Sequence, residues 1–448
     1  MEKYDFVAIG GGNTGLSAAY RIAAAGKKVA LVDKGPVGGL CSLAGCNPKK
    51  VLVRATEVLD EVRRAGEHGI EVEVNRVDWS RVIDRKKSFT DPVPAQTEES
   101  LSKKGIALIR GLARFVSPDA IEVDSRQLEA EGFVIATGST PRRLFFPGAE
   151  ATRISDDILD LRTVPRDLVI VGAGVVAFEF GQVFARLGSR VSMLMPSDRA
   201  LRGSDADLVA VLIEHSKRLG IDFVAHARVH GLSTRESRFA VDAEASGERR
   251  TFEADFVLNA AGRVAALESL NLPAAGVAGH AKGVVVDDYL RSPGNRRVFA
   301  GGDAHGKRQL SPVASYEGRV IARNFLEGDV ERASYDAIPQ AVFTVPPLAW
   351  VGLTEEEACE KGARIAVVSH DMETWRVFAI AGERPARAKV VLEKDTGRIL
   401  GAHLLGACAG ELIHVFAMAM RYGLTTADLD KMVWTYPTFS AALDSTWK

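Results

Sequence analysis

Apolar and polar positions along the chain fall into short blocks. Phe6-Val7-Ala8-Ile9 is an unbroken apolar run of the length a strand buried on both faces takes, and Leu168-Val169-Ile170-Val171 repeats it farther along. Glycines follow each run at once, as Gly10-Gly11-Gly12-Asn13-Thr14-Gly15 and as Gly172-Ala173-Gly174-Val175-Val176-Ala177. An Ala-rich stretch, residues 16–25, then predicts a helix that Gly26 stops, and a matching helix runs through Leu187. Each leads into a second strand, Lys28-Val29-Ala30-Leu31-Val32-Asp33 and Arg190-Val191-Ser192-Met193-Leu194-Met195. The same βαβ unit is therefore written twice, which implies two nucleotides held by one protein.

The remaining pattern predicts a helix over residues 46–65, another near 94–105, and strands ending in Phe133-Val134-Ile135-Ala136-Thr137-Gly138-Ser139. Val298-Phe299-Ala300-Gly301-Gly302-Asp303 reads as a strand ending in a glycine-flanked acid, followed by a helix through Pro312 and Arg319. After Ser334 come Val- and Ile-rich strands within 341–353 and 389–405, with helices at 355–361 and 410–422 and no further fingerprint. Composition shifts near Pro147 and across 262–283. The expected organisation is residues 1–146 with 265–332 as one nucleotide-binding domain, 147–264 as the second, and 333–448 as a third. The aromatic tail, Val433-Trp434-Thr435-Tyr436-Pro437-Thr438-Phe439-Ser440, is expected to be buried against something.

Charge narrows the class. Across 448 residues, 57 Lys and Arg balance 58 Asp and Glu, so no overall field points to nucleic acid or an anionic membrane. Arg85-Lys86-Lys87 and Arg249-Arg250 read as solvated faces. The N-terminus runs straight into a strand, and no apolar run reaches the roughly 20 residues that span a bilayer. A cytoplasmic protein without nucleic-acid, membrane or resident-metal binding is expected. Of only four cysteines, Cys359 and Cys408 read as small buried hydrophobes.

The other two carry the candidate chemistry. Gly38-Gly39-Leu40-Cys41-Ser42-Leu43-Ala44-Gly45-Cys46-Asn47-Pro48-Lys49-Lys50 places Cys41 and Cys46 just downstream of the first fingerprint. They are a redox pair, a structural bridge or two reduced thiols. The glycines permit close backbone approach, and the lysines favour thiolate, which points to the redox pair. Asp33, ending the second strand, can accept hydrogen bonds from a ribose.

With both fingerprints, Gly39-x-Cys41-x4-Cys46-x-Pro48, Ala136-Thr137-Gly138, Glu179, Gly301-Gly302-Asp303, Phe343-Thr344 and Pro346-Pro347 in this order, the chain resembles the class I pyridine nucleotide-disulfide oxidoreductases from end to end. That is the group of glutathione reductase, dihydrolipoamide dehydrogenase and mercuric reductase. The resemblance implies an α/β fold with two Rossmann-like domains, for FAD and NAD(P), and an α+β C-terminal dimerisation domain that makes a homodimer. FAD would lie on Gly10, Gly12, Gly15, Asp33, Gly39, Thr137, Gly138, Asp303 and Ala314. The nicotinamide nucleotide would lie on Gly172, Gly174, Ala177 and Gly262. Cys46 would be the thiol beside the flavin and Cys41 the one that attacks substrate. Lys49 or Lys50, paired with Glu179, would stand near the flavin's reactive edge. For the nicotinamide, Met195-Pro196 replaces the acid that a 2′-hydroxyl prefers, and Arg199 and Arg202 follow where a 2′-phosphate could bind, so NADPH is expected over NADH.

One departure bears on the substrate. The family's His-Pro-Thr-x-x-Glu acid-base pair reads Tyr436-Pro437-Thr438-Phe439-Ser440-Ala441 here. A tyrosine, with an ordinary pKa of about 10, donates a proton but is a poor base near neutrality. The expected reaction is reduction of a small disulfide or related sulfur compound. A metal ion, as in mercuric reductase, or a quinone-type electrophile is the alternative substrate, and an electron-transfer or redox-sensing role is a third.

Overall fold

The computed structural model describes residues 1–235 and 238–448. They group into two units, Met1–Val51 with Arg81–Arg143 and Gly262–Ser334, and Leu52–Ser80 with Leu144–Ala261 and Tyr335–Lys448.

In the first unit the apolar run Phe6 to Ile9 becomes the end of the strand Glu2–Ile9. It lies parallel to Val29–Asp33 on one side and Arg126–Ile135 on the other, with Phe6 level with Val29 and Gly132. Ala107–Arg110 extends this sheet, and Val298–Ala300 pairs with the end of Arg126–Ile135. Two antiparallel strands, Ala120–Val123 and Ala113–Ser117, complete seven. The pleat splits the run between two cores. Phe6 and Ala8 pack with Ala18, Ile22, Phe299 and Ile321 beneath the helices, while Val7 and Ile9 pack with Phe115, Phe133 and Leu270 on the opposite face.

The helices Asn13–Ala24 and Ser311–Glu327 are joined along their length. Thr14 Oγ1 donates to the Ala314 carbonyl at 3.0 Å and Ser17 Oγ to that of Ser315 at 2.8 Å. A Cβ on Gly318 would stand 2.5 Å from the Thr14 carbonyl oxygen, so only glycine admits this approach.

In the second unit Ile221–Val224, Arg190–Leu194, Asp167–Val171 and Phe256–Asn259 form a four-stranded parallel sheet in that order. A three-stranded meander, Arg228–Arg235, Arg238–Ala245 and Glu248–Ala254, packs Val241 and Phe252 against Val169 and Val257. Residues 340–405 build a five-stranded antiparallel sheet under the helix Ala409–Tyr422.

Two expectations need correction. Lys86 is buried, at 4% exposure, because the helix Trp79–Thr90 turns it inward with Ile83 and Thr90 at helical spacing, so Arg85-Lys86-Lys87 is not wholly a solvated face. Cys359 and Cys408 are exposed. Cys359 lies on the polar side of the helix Glu355–Glu360, and Cys408 takes a left-handed conformation at the turn before Ala409–Tyr422. In the tail Val433 and Tyr436 stand 98% and 72% exposed in the single chain, while Leu443 and Trp447 beyond it enter the core.

Candidate active site

The dithiol is set by glycines. Gly38 and Gly39 have φ of +128° and +74°, and a Cβ on Gly39 would lie 2.5 Å from Gly12 Cα, so the loop packs backbone to backbone on the first fingerprint. The short helix Gly39–Leu43 carries Cys41, and Cys46 opens the helix Cys46–Arg64. Gly45 lets the chain double back, since a Cβ there would stand 2.8 Å from the Leu40 carbonyl oxygen.

Neither thiol is tied up in a disulfide. The neighbouring Cys46 side chain, against the opposing effect of burial, draws the Cys41 pKa down to about 6. The Ser311 hydroxyl and the Cys46 backbone N–H act in the same direction, and the Asp303 carboxylate opposes them. Cys46 is pushed up, first by the Cys41 side chain beside it and then by burial, while the charge of Lys49 acts the other way. The pair therefore releases one proton readily and holds the second.

The two nucleotide cradles repeat each other closely. Gly12 caps Asn13–Ala24 at φ −90°, ψ −170°, and Gly174 caps Val175–Arg186 at φ −92°, ψ −170°. A Cβ on Gly10 would stand 2.2 Å from the Ala136 carbonyl oxygen, and one on Gly172 2.3 Å from that of Ala260. A Cβ on Gly15 would be 1.9 Å from the Gly10 carbonyl oxygen, and Ala177, its counterpart, is fully buried. Glycine caps leave the helix N–H groups open to a pyrophosphate.

The first cradle fits a flavin nucleotide. Thr137 Oγ1 is buried without a partner among the described residues, and a Cβ on Gly138 would point into open space. Asp33 accepts from Gly11 N at 2.6 Å and Gly35 N at 2.8 Å, which aims its carboxylate across the glycines. Asp303 accepts from Ser139 Oγ at 2.6 Å, and Ser139 accepts from Arg263 Nε at 2.9 Å. Ala314 lies on the helix that opens with Ser311, and Gly262 accepts from Arg142 N. Asn13, Ser139, Arg263 and Ser311 are site residues that the sequence reading passes over. Asn13 sits inside the fingerprint and Ser139 directly after Ala136-Thr137-Gly138, so their positions were the available signal.

Lys49 and Lys50 occupy the first turns of Cys46–Arg64, and Lys49 is the one whose charge reaches Cys46. Glu179 is buried in the second unit, where its Oε1 accepts from Phe343 N at 2.8 Å. Gln182 accepts from Val345 N at 2.8 Å, so one helix face holds the Phe343-Thr344-Val345 segment. Arg199 forks onto Glu356 at 3.2 and 3.3 Å, whereas Arg202 donates to Ser197 Oγ at 3.1 Å. Among the described residues no helix is long and apolar enough to cross a membrane, and no cluster of three or more His, Cys, Asp or Glu could hold a metal ion.

Residues 4–318 match the pyridine nucleotide-disulphide oxidoreductase family, and residues 338–446 match its dimerisation domain. A mercuric reductase of Bacillus cereus is 32% identical over 444 residues, covering 98% of this chain and 70% of that protein. A dihydrolipoyl dehydrogenase of Chlamydia trachomatis is 31% identical over 448 residues, covering 98% and 95%. The Cu(II) complex of the HOCl-induced flavoprotein disulfide reductase RclA from Escherichia coli shares the fold with a TM-score of 0.89 at 28% identity, covering 100% and 99%. With both of its domains matched and a dithiol beside a nucleotide cradle, the chain belongs to the pyridine nucleotide-disulphide oxidoreductase family and is an FAD-dependent oxidoreductase.

Proposed function

We propose that this enzyme passes electrons from NADPH to a small disulfide or related sulfur compound through Cys41 and Cys46. The observation that carries this reading is the pair itself: Cys41 and Cys46 share a loop that packs backbone to backbone on the first cradle, and the neighbouring Cys46 side chain lowers the Cys41 pKa. Gly10, Gly12, Gly15 and Gly39 would cradle FAD, Asp33 would take a ribose, and Thr137, Gly138, Asp303 and Ala314 would line the rest. When bound, the flavin supplies two-electron exchange between a nicotinamide and sulfur.

The residues account for the exchange. The Cys41 thiolate attacks one sulfur of the substrate, its S–S bond breaks, and the leaving thiolate takes the proton that Cys46 holds. Cys46, now a thiolate, attacks the Cys41 sulfur, closes the intramolecular disulfide and expels the second half of the substrate, which takes a proton from solvent. Two electrons from the nicotinamide, with protons from solvent, restore the dithiol. Lys49 supports the negative charge at Cys46, and the protonated Cys46 does part of the work that a His at position 436 would do.

NADPH is favoured because Met195-Pro196 leaves no acid for a 2′-hydroxyl and Arg202 is held by a serine hydroxyl, while Arg199 is engaged by Glu356. NADH is the alternative. The nicotinamide nucleotide would use Gly172, Gly174, Ala177 and Gly262, with Glu179 holding the Phe343 segment. The match to a dimerisation domain and the exposed Met432, Val433 and Tyr436 support a homodimer, and a dithiol that works reduced fits the cytoplasm.

A second reading has one observation in its favour. Tyr436 replaces the expected histidine and is exposed, which suits a thiophilic metal ion or a quinone-type electrophile that releases no thiol needing a proton. Anaerobic titration of the flavin-loaded protein with NADPH and then NADH tests both. A long-wavelength absorbance band after two electrons, reached at lower NADPH than NADH, is expected. Direct bleaching without the band would remove the cysteines from the electron path. Cys41→Ser should abolish disulfide reduction and spare quinone reduction.

A further inference from the structure

We infer that Glu356 is a specificity-determining residue for the nicotinamide nucleotide: its carboxylate occupies the guanidinium fork of Arg199 that a 2′-phosphate would claim, and so weighs the choice between NADPH and NADH. The inference rests on the NADPH reading above. Arg199 lies in the loop that leaves the strand Arg190–Leu194, the place where such a βαβ unit reads the 2′ position of its nucleotide. Leu201 N donates at 3.0 Å to the carbonyl oxygen of Ala173, which stands between two glycines of the second fingerprint, so the loop is fastened to the cradle itself. Ser197 Oγ gathers the loop, accepting from Arg199 N at 3.3 Å and from Arg202 Nη2 at 3.1 Å. Arg199 Nη2 donates to the Ser204 carbonyl oxygen at 3.2 Å. The same guanidinium forks onto Glu356, with Nη1 3.2 Å from Oε1 and Nη2 3.3 Å from Oε2. Two N–H donors on two acceptor oxygens is also how a guanidinium takes a phosphate. Carboxylate and 2′-phosphate therefore compete for one fork.

The surroundings hold Glu356 at this post. Its neighbours on the helix Glu355–Glu360 are both fixed: Glu355 meets the buried Lys389 at 2.7 Å, and Glu357 Oε2 accepts from Thr354 N at 3.0 Å. Lys389 also meets Asp205 at 3.0 Å, at the far end of the Arg199 loop, where Asp205 caps the helix Ala206–Arg218. One buried cation thus joins the helix that carries Glu356 to the loop that carries Arg199. The Arg199 and Glu356 side chains are 31% and 64% exposed, and an ion pair so open to water adds little to the fold. Its consequence falls on the nucleotide. A phosphate monoester carries about −1.5 to −2 charge at pH 7, so it must displace Glu356 or bind beside a carboxylate that repels it. A 2′-hydroxyl meets neither obstacle.

The test is isothermal titration calorimetry of the oxidised, flavin-loaded enzyme with adenosine 2′,5′-bisphosphate and with adenosine 5′-monophosphate, which differ only in the 2′-phosphate and need no turnover. Glu356→Gln keeps the size and removes the charge. It should bind the bisphosphate about three- to tenfold more tightly than the wild type and the monophosphate within about twofold. Adding Arg199→Ala should abolish that gain, because no fork is left to release. Unchanged bisphosphate affinity in Glu356→Gln, with Arg199→Ala alone still weakening it, would overturn the inference and leave the NADPH reading standing. A gain that persists without Arg199 would overturn it too, as would weaker monophosphate binding in Glu356→Gln, which would make Glu356 the acid that holds the 2′-hydroxyl. Equal affinity for the two nucleotides, unmoved by Arg199→Ala or Arg202→Ala, would instead sink the NADPH reading and the inference with it.

Discussion

His215 makes the stability of this protein depend on pH in a window the structure defines. The ring sits on the helix Ala206–Arg218, and its Nε2–H donates at 3.0 Å to the Val345 carbonyl oxygen. The same oxygen receives Arg186 Nη2 at 2.6 Å. Burial first, and the neighbouring Arg186 guanidinium second, lower the His215 pKa to about 4. In the unfolded chain the value returns to about 6.5. Between those values the unfolded state binds a proton that the folded state refuses. This contribution to stability is therefore complete above pH 6.5 and is lost as pH falls toward 4. The interval sets a ceiling of about 3 kcal/mol, at no more than about 1.4 kcal/mol per pH unit. Denaturant unfolding of the flavin-loaded protein, followed by far-UV circular dichroism from pH 4 to 8, compares the wild type with His215→Gln. The glutamine amide can serve the same carbonyl and does not titrate. The wild type should lose roughly 2 to 3 kcal/mol more than the variant between pH 7 and pH 4. Parallel curves would show that the imidazole is not held neutral, and the argument from its burial would fall.

Two further outcomes follow from contacts already described. Gly39→Ala combines a φ of +74° with a Cβ 2.5 Å from Gly12 Cα, so flavin affinity measured by fluorescence quenching should fall by at least about 1 to 3 kcal/mol; unchanged affinity would mean that the loop does not shape the cradle. Lys389 is 5% exposed and reaches Asp205, Asp207 and Glu355 at 3.0, 2.8 and 2.7 Å. Lys389→Met leaves three carboxylates facing one another, and unfolding at neutral pH should show a loss of about 3 to 5 kcal/mol that shrinks in mild acid. A loss independent of pH would point to packing instead of charge.

The parts of this protein that sequence makes legible are those written in contiguous residues. An apolar run, a glycine turn and a helix specify one another locally, which is why both cradles and the strand ending at Asp303 were readable. The loop of Cys41 and Cys46 was readable for the same reason, since Gly39 and Gly45 are demanded by contacts within a few residues or with a recognisable fingerprint. What was not legible depends on meetings across the chain. Asn13 and Ser311 are 298 positions apart, and nothing near either announces the other. Lys86 is a basic residue in a basic cluster, and only the packing of the helix Trp79–Thr90 turns it inward. The charged cluster at Lys389 draws on three separate segments. The tail's apolar composition reports a need for cover without saying what supplies it, and in the single chain Val433 and Tyr436 stand exposed.

Because one cradle is built twice, to within a few degrees at its capping glycine, the molecule carries its own control. Whatever a dinucleotide requires should stand in both copies, and the first and capping glycines and the carbonyl that the first presses against do. Where the copies diverge, some other demand is at work. The residues after the capping glycine are Asn13 and Thr14 in the first copy and Val175 and Val176 in the second. The polar pair occurs only in the copy that faces the dithiol and the helix of Ser311. The two copies thus separate, within a single chain, what holds a nucleotide from what fastens the first helix to its neighbour.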